Sequence, residues 1–201
     1  MTTYLGKGGQ IPYLSKSKII AEVESVMGNY WGGRFPVDVE EICDGLNIGI
    51  VPVPNLSRGF HIDAYISAGF SAICVDEDEL GKESSRYRFS VAHELGHYIL
   101  HRRYYPDSIY DVGEWLEVSR TIANNYAEFQ ANFFAANLLV PSAELAEMMN
   151  ERCNGDFAYN IWLASSSELG EILNDVRKKF KVSDDVIIRR IREVFPGIED
   201  R

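Results

Sequence analysis

His93, Glu94, Leu95, Gly96 and His97 spell H-E-x-x-H, and with His101 three of the four histidines of the chain fall within nine residues. On a helix, residues four apart differ by only about 40° in azimuth, so both imidazoles of the motif point into one space and can share a metal ion. Glu94 stands beside them, placed to take a proton from water activated by that ion, which is the arrangement of a zinc hydrolase. Phe89, Val91, Ala92, Leu95, Ile99 and Leu100 surround the motif with apolar side chains. Most of this helix should therefore be buried, and buried histidines need partners.

A catalytic zinc takes three protein ligands and leaves its fourth position to water, so a third ligand must come from elsewhere. Glu128 is the first candidate. It opens a run that ends at Val140-Pro141 and reads as a helix stopped by its proline. Ala131, Ala135 and Ala136 give that helix a small-residue face, on which another helix can come close enough to bring Glu128 over the two histidines. Spacing alone leaves Glu128 open between this role and that of a solvated glutamate in a first helical turn. His101 is the competitor. On a continuous helix it lies about 80° round from His93 and roughly 12 Å along the axis, which suits a place behind the ligands or at the helix end better than a ligand position.

Phe89-Ser90-Val91-Ala92-His93-Glu94-Leu95-Gly96-His97-Tyr98-Ile99-Leu100-His101, followed by Glu128-x-Gln130-Ala131-Asn132-x-Phe134-Ala135-Ala136-x-Leu138-Leu139-Val140-Pro141, closely resembles the ImmA/IrrE family of bacterial and phage metallopeptidases. The resemblance extends more weakly from Pro36-Val37-Asp38-Val39-Glu40 to Phe180-x-Val182-Ser183, and so covers most of the chain. It implies that His93, His97 and Glu128 bind Zn2+, that Glu94 is the catalytic base, and that the substrate is a repressor with a helix-turn-helix. Two departures stand out: Asp76 where the family often has asparagine after the strand, and Ser90 for the commoner threonine. Neither touches the proposed metal site.

The elements that must position these residues can be read from periodicity. Lys16 to Met27 has the apolar spacing of an amphipathic helix, which Gly28-Asn29 should end. A short helix follows Pro36, and Ile48 to Val53 is short enough to be a strand. Gly59 to Ile66 and Phe70 to Val75 flank Ser67-Ala68-Gly69, a connection that favours a hairpin. The acidic residues Asp76 to Glu79 that close its second arm read as a solvated loop. A peptidase must hold an extended peptide beside its metal, and an unpaired strand edge offers backbone partners in a row. Phe70, Ala72 and Cys74, on the arm just before the motif helix, are the candidate substrate-binding residues, with a purely internal strand as the equal alternative. Arg102 to Ser119 reads as a long loop joining the two halves of the site. One of its tyrosines, Tyr104, Tyr105 or Tyr110, or else Tyr126, is a candidate for stabilising an oxyanion.

Pro141 to Met149 should form a short helix and Gly155 a turn. From Ser165 two further helices follow, the second capped by Ser183. Over residues 161–198 seven basic and six acidic residues leave a net charge of +1. DNA-binding modules carry a marked basic excess, so direct nucleic-acid binding is not expected, and a helical hairpin packed on the catalytic core is. The formal charge of the whole chain, −10, points the same way, towards a protein or peptide partner.

With 201 residues and 46% hydrophobic content, the chain can bury one good core. No apolar run approaches the ~20 residues needed to span a bilayer, and the first ten residues lack the core of a signal peptide. Cys43, Cys74 and Cys153 have neither even number nor short pair spacing, which suits a reducing compartment and packing roles. A cytoplasmic protein is expected. The fold expected is an α+β zincin-like domain over 1–160, with a small antiparallel sheet, a metal-binding helix and the Glu128 helix, extended by a C-terminal helical hairpin over 161–201. The activity expected is that of a zinc-dependent endopeptidase. The alternative is a transcriptional regulator that binds a partner or DNA and uses zinc only structurally.

Overall fold

The computed structural model describes residues 11–79, 84–105, 113–117, 125–152 and 166–196. Tyr110, Cys153 and Gly155 lie outside them. Helix α1 (Lys16–Tyr30) begins where the Ser15 hydroxyl accepts from the Lys18 amide. It runs past the expected stop at Gly28-Asn29, because the Asn29 side-chain amide donates to the Ser25 carbonyl of the preceding turn and Gly28 is tolerated within the helix. Helix α2 (Val39–Gly45) starts at Asp38, whose carboxylate accepts from the amides of Glu40 and Glu41.

Strand β1 (Gly49–Val53), helix α3 (Leu56–Phe60), strand β2 (Ala64–Ile66) and strand β3 (Ala72–Asp76) follow. The three strands form one sheet in the order β1-β3-β2. β2 and β3 are the expected antiparallel hairpin, with Tyr65 opposite Cys74, but β1 pairs with β3 in parallel, Val51 opposite Cys74. The sheet is thus mixed rather than antiparallel, and β3 is its middle strand. That placement corrects the reading of Phe70, Ala72 and Cys74 as an open edge: both edges of β3 are taken by neighbouring strands. Phe70 is not in the strand at all. It sits in the turn at a φ of 59° and is buried against Tyr98, Tyr105 and Trp115. Of the acidic run, only Asp76 departs from a solvated loop: it is buried and accepts from the amides of Ser57 and Asp78, which ties α3 to the end of β3, while Glu77 and Asp78 are exposed in the turn that follows.

Helix α4 (Ser85–His101) carries the H-E-x-x-H motif and starts at Ser84, whose hydroxyl accepts from the Tyr87 amide. Arg102–Tyr104 forms a 3-10 turn, and residues 113–117 form the short helix α5, so the region read as a loop is partly helical. Helix α6 (Asn125–Leu139) lies against α4, and Ala131, Ala135 and Ala136 on it are completely buried. Gly96 is the counterpart on α4: a Cβ there would stand 3.0 Å from the Ala131 Cα and 3.1 Å from its carbonyl oxygen. A glycine opposite an alanine is what lets the two helix backbones meet at that distance.

Helix α7 (Ser142–Arg152) follows Pro141, and α8 (Ser166–Phe180) and α9 (Asp184–Val194) form the C-terminal pair. Ser183 occupies the position before α9, as expected, but its side chain makes no capping bond. Arg190 of α9 is buried, donating to the Val140 carbonyl, the Ser142 hydroxyl and Glu193. One of the basic residues counted in this segment therefore serves packing and not a surface. No helix among the described residues is long and apolar enough to cross a membrane.

Candidate metal centre

The helical spacing of α4 brings the two motif imidazoles together, with Nε2 of His93 3.1 Å from Nε2 of His97. Glu128, in the first turn of α6, reaches over both: Oε2 lies 3.4 Å from His93 Nε2 and Oε1 lies 3.5 Å from His97 Nε2. These three separations can be tested against a metal. Bonds of about 2.0 to 2.1 Å to a tetrahedral zinc place neighbouring donors about 3.3 to 3.4 Å apart. The two nitrogens stand about as far apart as neighbouring donors of such an ion, each has one carboxylate oxygen of Glu128 at a similar distance, and one donor atom from each of the three residues lies within 4.8 Å of the others, so the donor set fits zinc. Among the described residues, His93, His97 and Glu128 are the only such group of histidine, cysteine or carboxylate donors. Three donors on an open cleft match a catalytic site, whereas structural zinc is closed by four.

The charges respond to this crowding. Contact with the His93 and then the His97 imidazole holds the Glu128 carboxyl well below the usual carboxylate range. Burial alone would lower the pKa of His93, but the Glu128 carboxylate beside its Nε2, the charges of Glu94 and Glu128 and the contact with Asn132 outweigh it, and the net shift is upward. Nδ1 of His93 lies 3.2 Å from the Asn132 side-chain oxygen. Donation there leaves Nε2 for the metal.

Glu94 is held by the sheet. The backbone alternation of the hairpin is set by Asp76 N–H donating to the Asp63 carbonyl and Ser67 N–H donating to the Ala72 carbonyl, so residues 63, 65 and 67 bond inward to β3. Ala64 and Ile66 then present their backbone groups to the open side of β2. The Ile66 amide donates to Glu94 Oε2 at 2.8 Å, and the Ile66 carbonyl accepts from the Trp115 indole at 2.6 Å. Burial pushes the Glu94 carboxyl up, against the lowering pull of the two histidines and the Ile66 amide. A raised carboxylate of this kind is suited to take up a proton and return it.

Around these residues is a cleft of about 360 Å³, bordered by residues 62–66, by Phe89 and Ser90 of α4, and by Tyr105, Trp115 and Leu116. Of the oxyanion candidates, Tyr105 lines it and is kept protonated by burial, whereas Tyr126 is exposed and packs edge-on against Tyr13. Tyr104 is not among its lining residues. His101 stands outside this donor group. It lies behind His97, Nδ1 to Nδ1 at 3.1 Å, and its Nε2 is 3.0 Å from the Gln130 side-chain oxygen.

Sequence reasoning named the three donors, Glu94 and the place of His101. It missed Asn132, Gln130, Ile66 and Trp115. The first two had a signal, because Asn132 follows Glu128 by one helical turn and Gln130 shares that turn; the last two had none, since a backbone amide and a distant indole leave no spacing to read. No curated protein matches the chain. The model of the M78 peptidase family, described as the IrrE N-terminal-like domain, matches residues 73–192, from the middle strand of the sheet through both motif helices to the C-terminal pair. That match spans more than half of the 201 residues and includes the three metal donors and Glu94, and the chain belongs to this family of metallopeptidases.

Proposed function

We propose that the protein is a zinc-dependent endopeptidase that cuts an extended segment of a protein substrate, and that this substrate is a helix-turn-helix repressor. The observation that carries the peptidase reading is the convergence of His93, His97 and Glu128 as three metal donors, beside a glutamate oriented by the edge strand of a cleft. Zinc bound there would supply a Lewis acid and a source of acidified water. The chain's own residues do the rest. With Oε2 engaged by the Ile66 amide, Glu94 has its other oxygen for the proton of the attacking water, and its raised pKa lets it carry that proton to the leaving amine. The backbone of Ala64, facing the cleft from the edge of β2, is the point at which an extended peptide can pair. The buried Tyr105 keeps its proton and is the hydroxyl on the cleft wall suited to meet a developing oxyanion.

The repressor rests on the resemblance of the two motif blocks, with support from charge: a chain of net −10 complements a basic, DNA-binding partner. Glu94→Gln tests the reading. Zinc content and melting temperature should stay near wild type, while cleavage of repressors encoded in the same genome, followed by mass spectrometry of the fragments, should fall by roughly 10² to 10⁴-fold. Cleavage by this variant at the wild-type rate would leave the regulator with a structural zinc as the better description.

A further inference from the structure

We infer that His101 and Gln130 form a hydrogen-bond relay, anchored on the Pro12 carbonyl, that holds His97 in the Nδ1–H tautomer and so presents its Nε2 lone pair to the metal. The inference rests on the metal centre proposed above and assigns two positioning residues to it. Its starting point is a group with no choice of role. The carbonyl oxygen of Pro12 can only accept, and the Gln130 side-chain nitrogen donates to it at 2.9 Å. The amide is thereby oriented, and its oxygen faces His101 Nε2 at 3.0 Å. That oxygen can only accept, so His101 carries its proton on Nε2.

His101 is fully buried at the end of α4, and among the described residues no carboxylate bonds to it; with the proton on Nε2, the other ring nitrogen, Nδ1, is the acceptor of the uncharged ring. Its neighbour at 3.1 Å is His97 Nδ1, which must therefore be the donor. A neutral His97 with hydrogen on Nδ1 has its lone pair on Nε2, the atom that faces His93 and Glu128. Each link follows from the one before it, and the direction of the whole chain is set about three side chains away from the metal, in the segment before α1. Gln130 is completely buried, so water does not offer either amide group a substitute partner. The relay also explains why α6 supplies two residues to the site from one turn: Glu128 meets the histidines from the cleft side and Gln130 from behind.

The test reads the tautomer directly in the metal-free protein. Long-range ¹H–¹⁵N correlation spectra of protein labelled in its four histidines separate the two neutral tautomers ring by ring. Wild type at about pH 8, where neutral imidazole prevails, should show His97 as Nδ1–H and His101 as Nε2–H. Gln130→Met keeps the length of the side chain and removes its acceptor. It should cost His97 that preference and raise the zinc dissociation constant, measured by chelator competition, by about 10 to 100-fold. His97 found as Nε2–H in wild type overturns the relay, whether or not the variant folds, and so does a folded Gln130→Met that binds zinc as wild type does. Wild-type protein that binds no zinc overturns the metal centre itself, a result the tautomer spectrum cannot produce.

Discussion

Gly96→Ala is the substitution that asks most of the fold. The added Cβ would lie 3.0 Å from the Ala131 Cα, 3.1 Å from the Ala131 carbonyl oxygen and 3.3 Å from the Phe134 Cβ. Two of these are backbone atoms and cannot swing aside, so α6 must retreat by a few tenths of an ångström. Overpacking of this kind costs about 1 to 3 kcal/mol, and the better helix propensity of alanine returns about 0.5 to 1 kcal/mol. The net loss is up to about 2.5 kcal/mol, which for a chain of this size lowers the melting temperature by up to about 10 °C. The metal centre should suffer as well, because Glu128 travels with α6 while His93 and His97 stay on α4. Metal sites tolerate about 0.2 Å, so the retreat should raise the zinc dissociation constant by at least about tenfold. Melting curves of metal-free and zinc-loaded protein, with chelator competition for affinity, measure both effects. Gly170→Ala is the control: a Cβ there meets nothing within 4 Å, so it should stabilise α8 slightly and leave zinc alone. If Gly96→Ala binds zinc like wild type and melts no lower, the close approach of α4 and α6 is not what brings Glu128 over the histidines.

Glu128→Ala removes a donor and should lower zinc occupancy and the zinc-loaded melting temperature together, whereas Glu94→Gln should change neither; equal metal contents in the two variants would contradict the division of labour. The raised pKa of His93 stabilises the metal-free fold below the ordinary value of 6.5, and that contribution is lost as pH rises through the raised value. Zinc needs neutral imidazole, so its affinity grows over the same window. The gap in melting temperature between zinc-loaded and metal-free protein should therefore widen from about pH 6 to about pH 8, and a constant gap would speak against histidine ligation. Ala64→Pro removes a backbone donor that faces the cleft, so it should weaken peptide cleavage while zinc content holds; unchanged kinetics would take the β2 edge out of substrate binding. Tyr105→Phe should lower kcat by about 10² to 10³-fold with little change in KM, and an unaltered kcat would free the oxyanion role for another group.

What could be read from the chain was what is local. Four-residue spacing puts His93 and His97 on one helical face in any context, and the break at Pro141 bounds the helix that Glu128 opens. The small face of Ala131, Ala135 and Ala136 announced a close helix contact, although its partner glycine went unremarked inside the motif. The place of His101 followed from helix geometry as well, because eight residues of rise carry it past the metal.

Strand order is a different kind of fact. Whether Phe70 to Val75 lies at an edge depends on a strand more than twenty residues upstream, and its alternation reads the same when β1 covers it as when water does. Only the folded sheet decides that β3 is covered and β2 exposed, that the Ile66 amide meets Glu94, and that the Trp115 indole meets the Ile66 carbonyl. The reason is common to all three. Backbone amides and carbonyls are identical in every residue, so a site assembled from them has no signature in side-chain type or spacing, and the tertiary structure alone selects which of them faces the metal-binding helix.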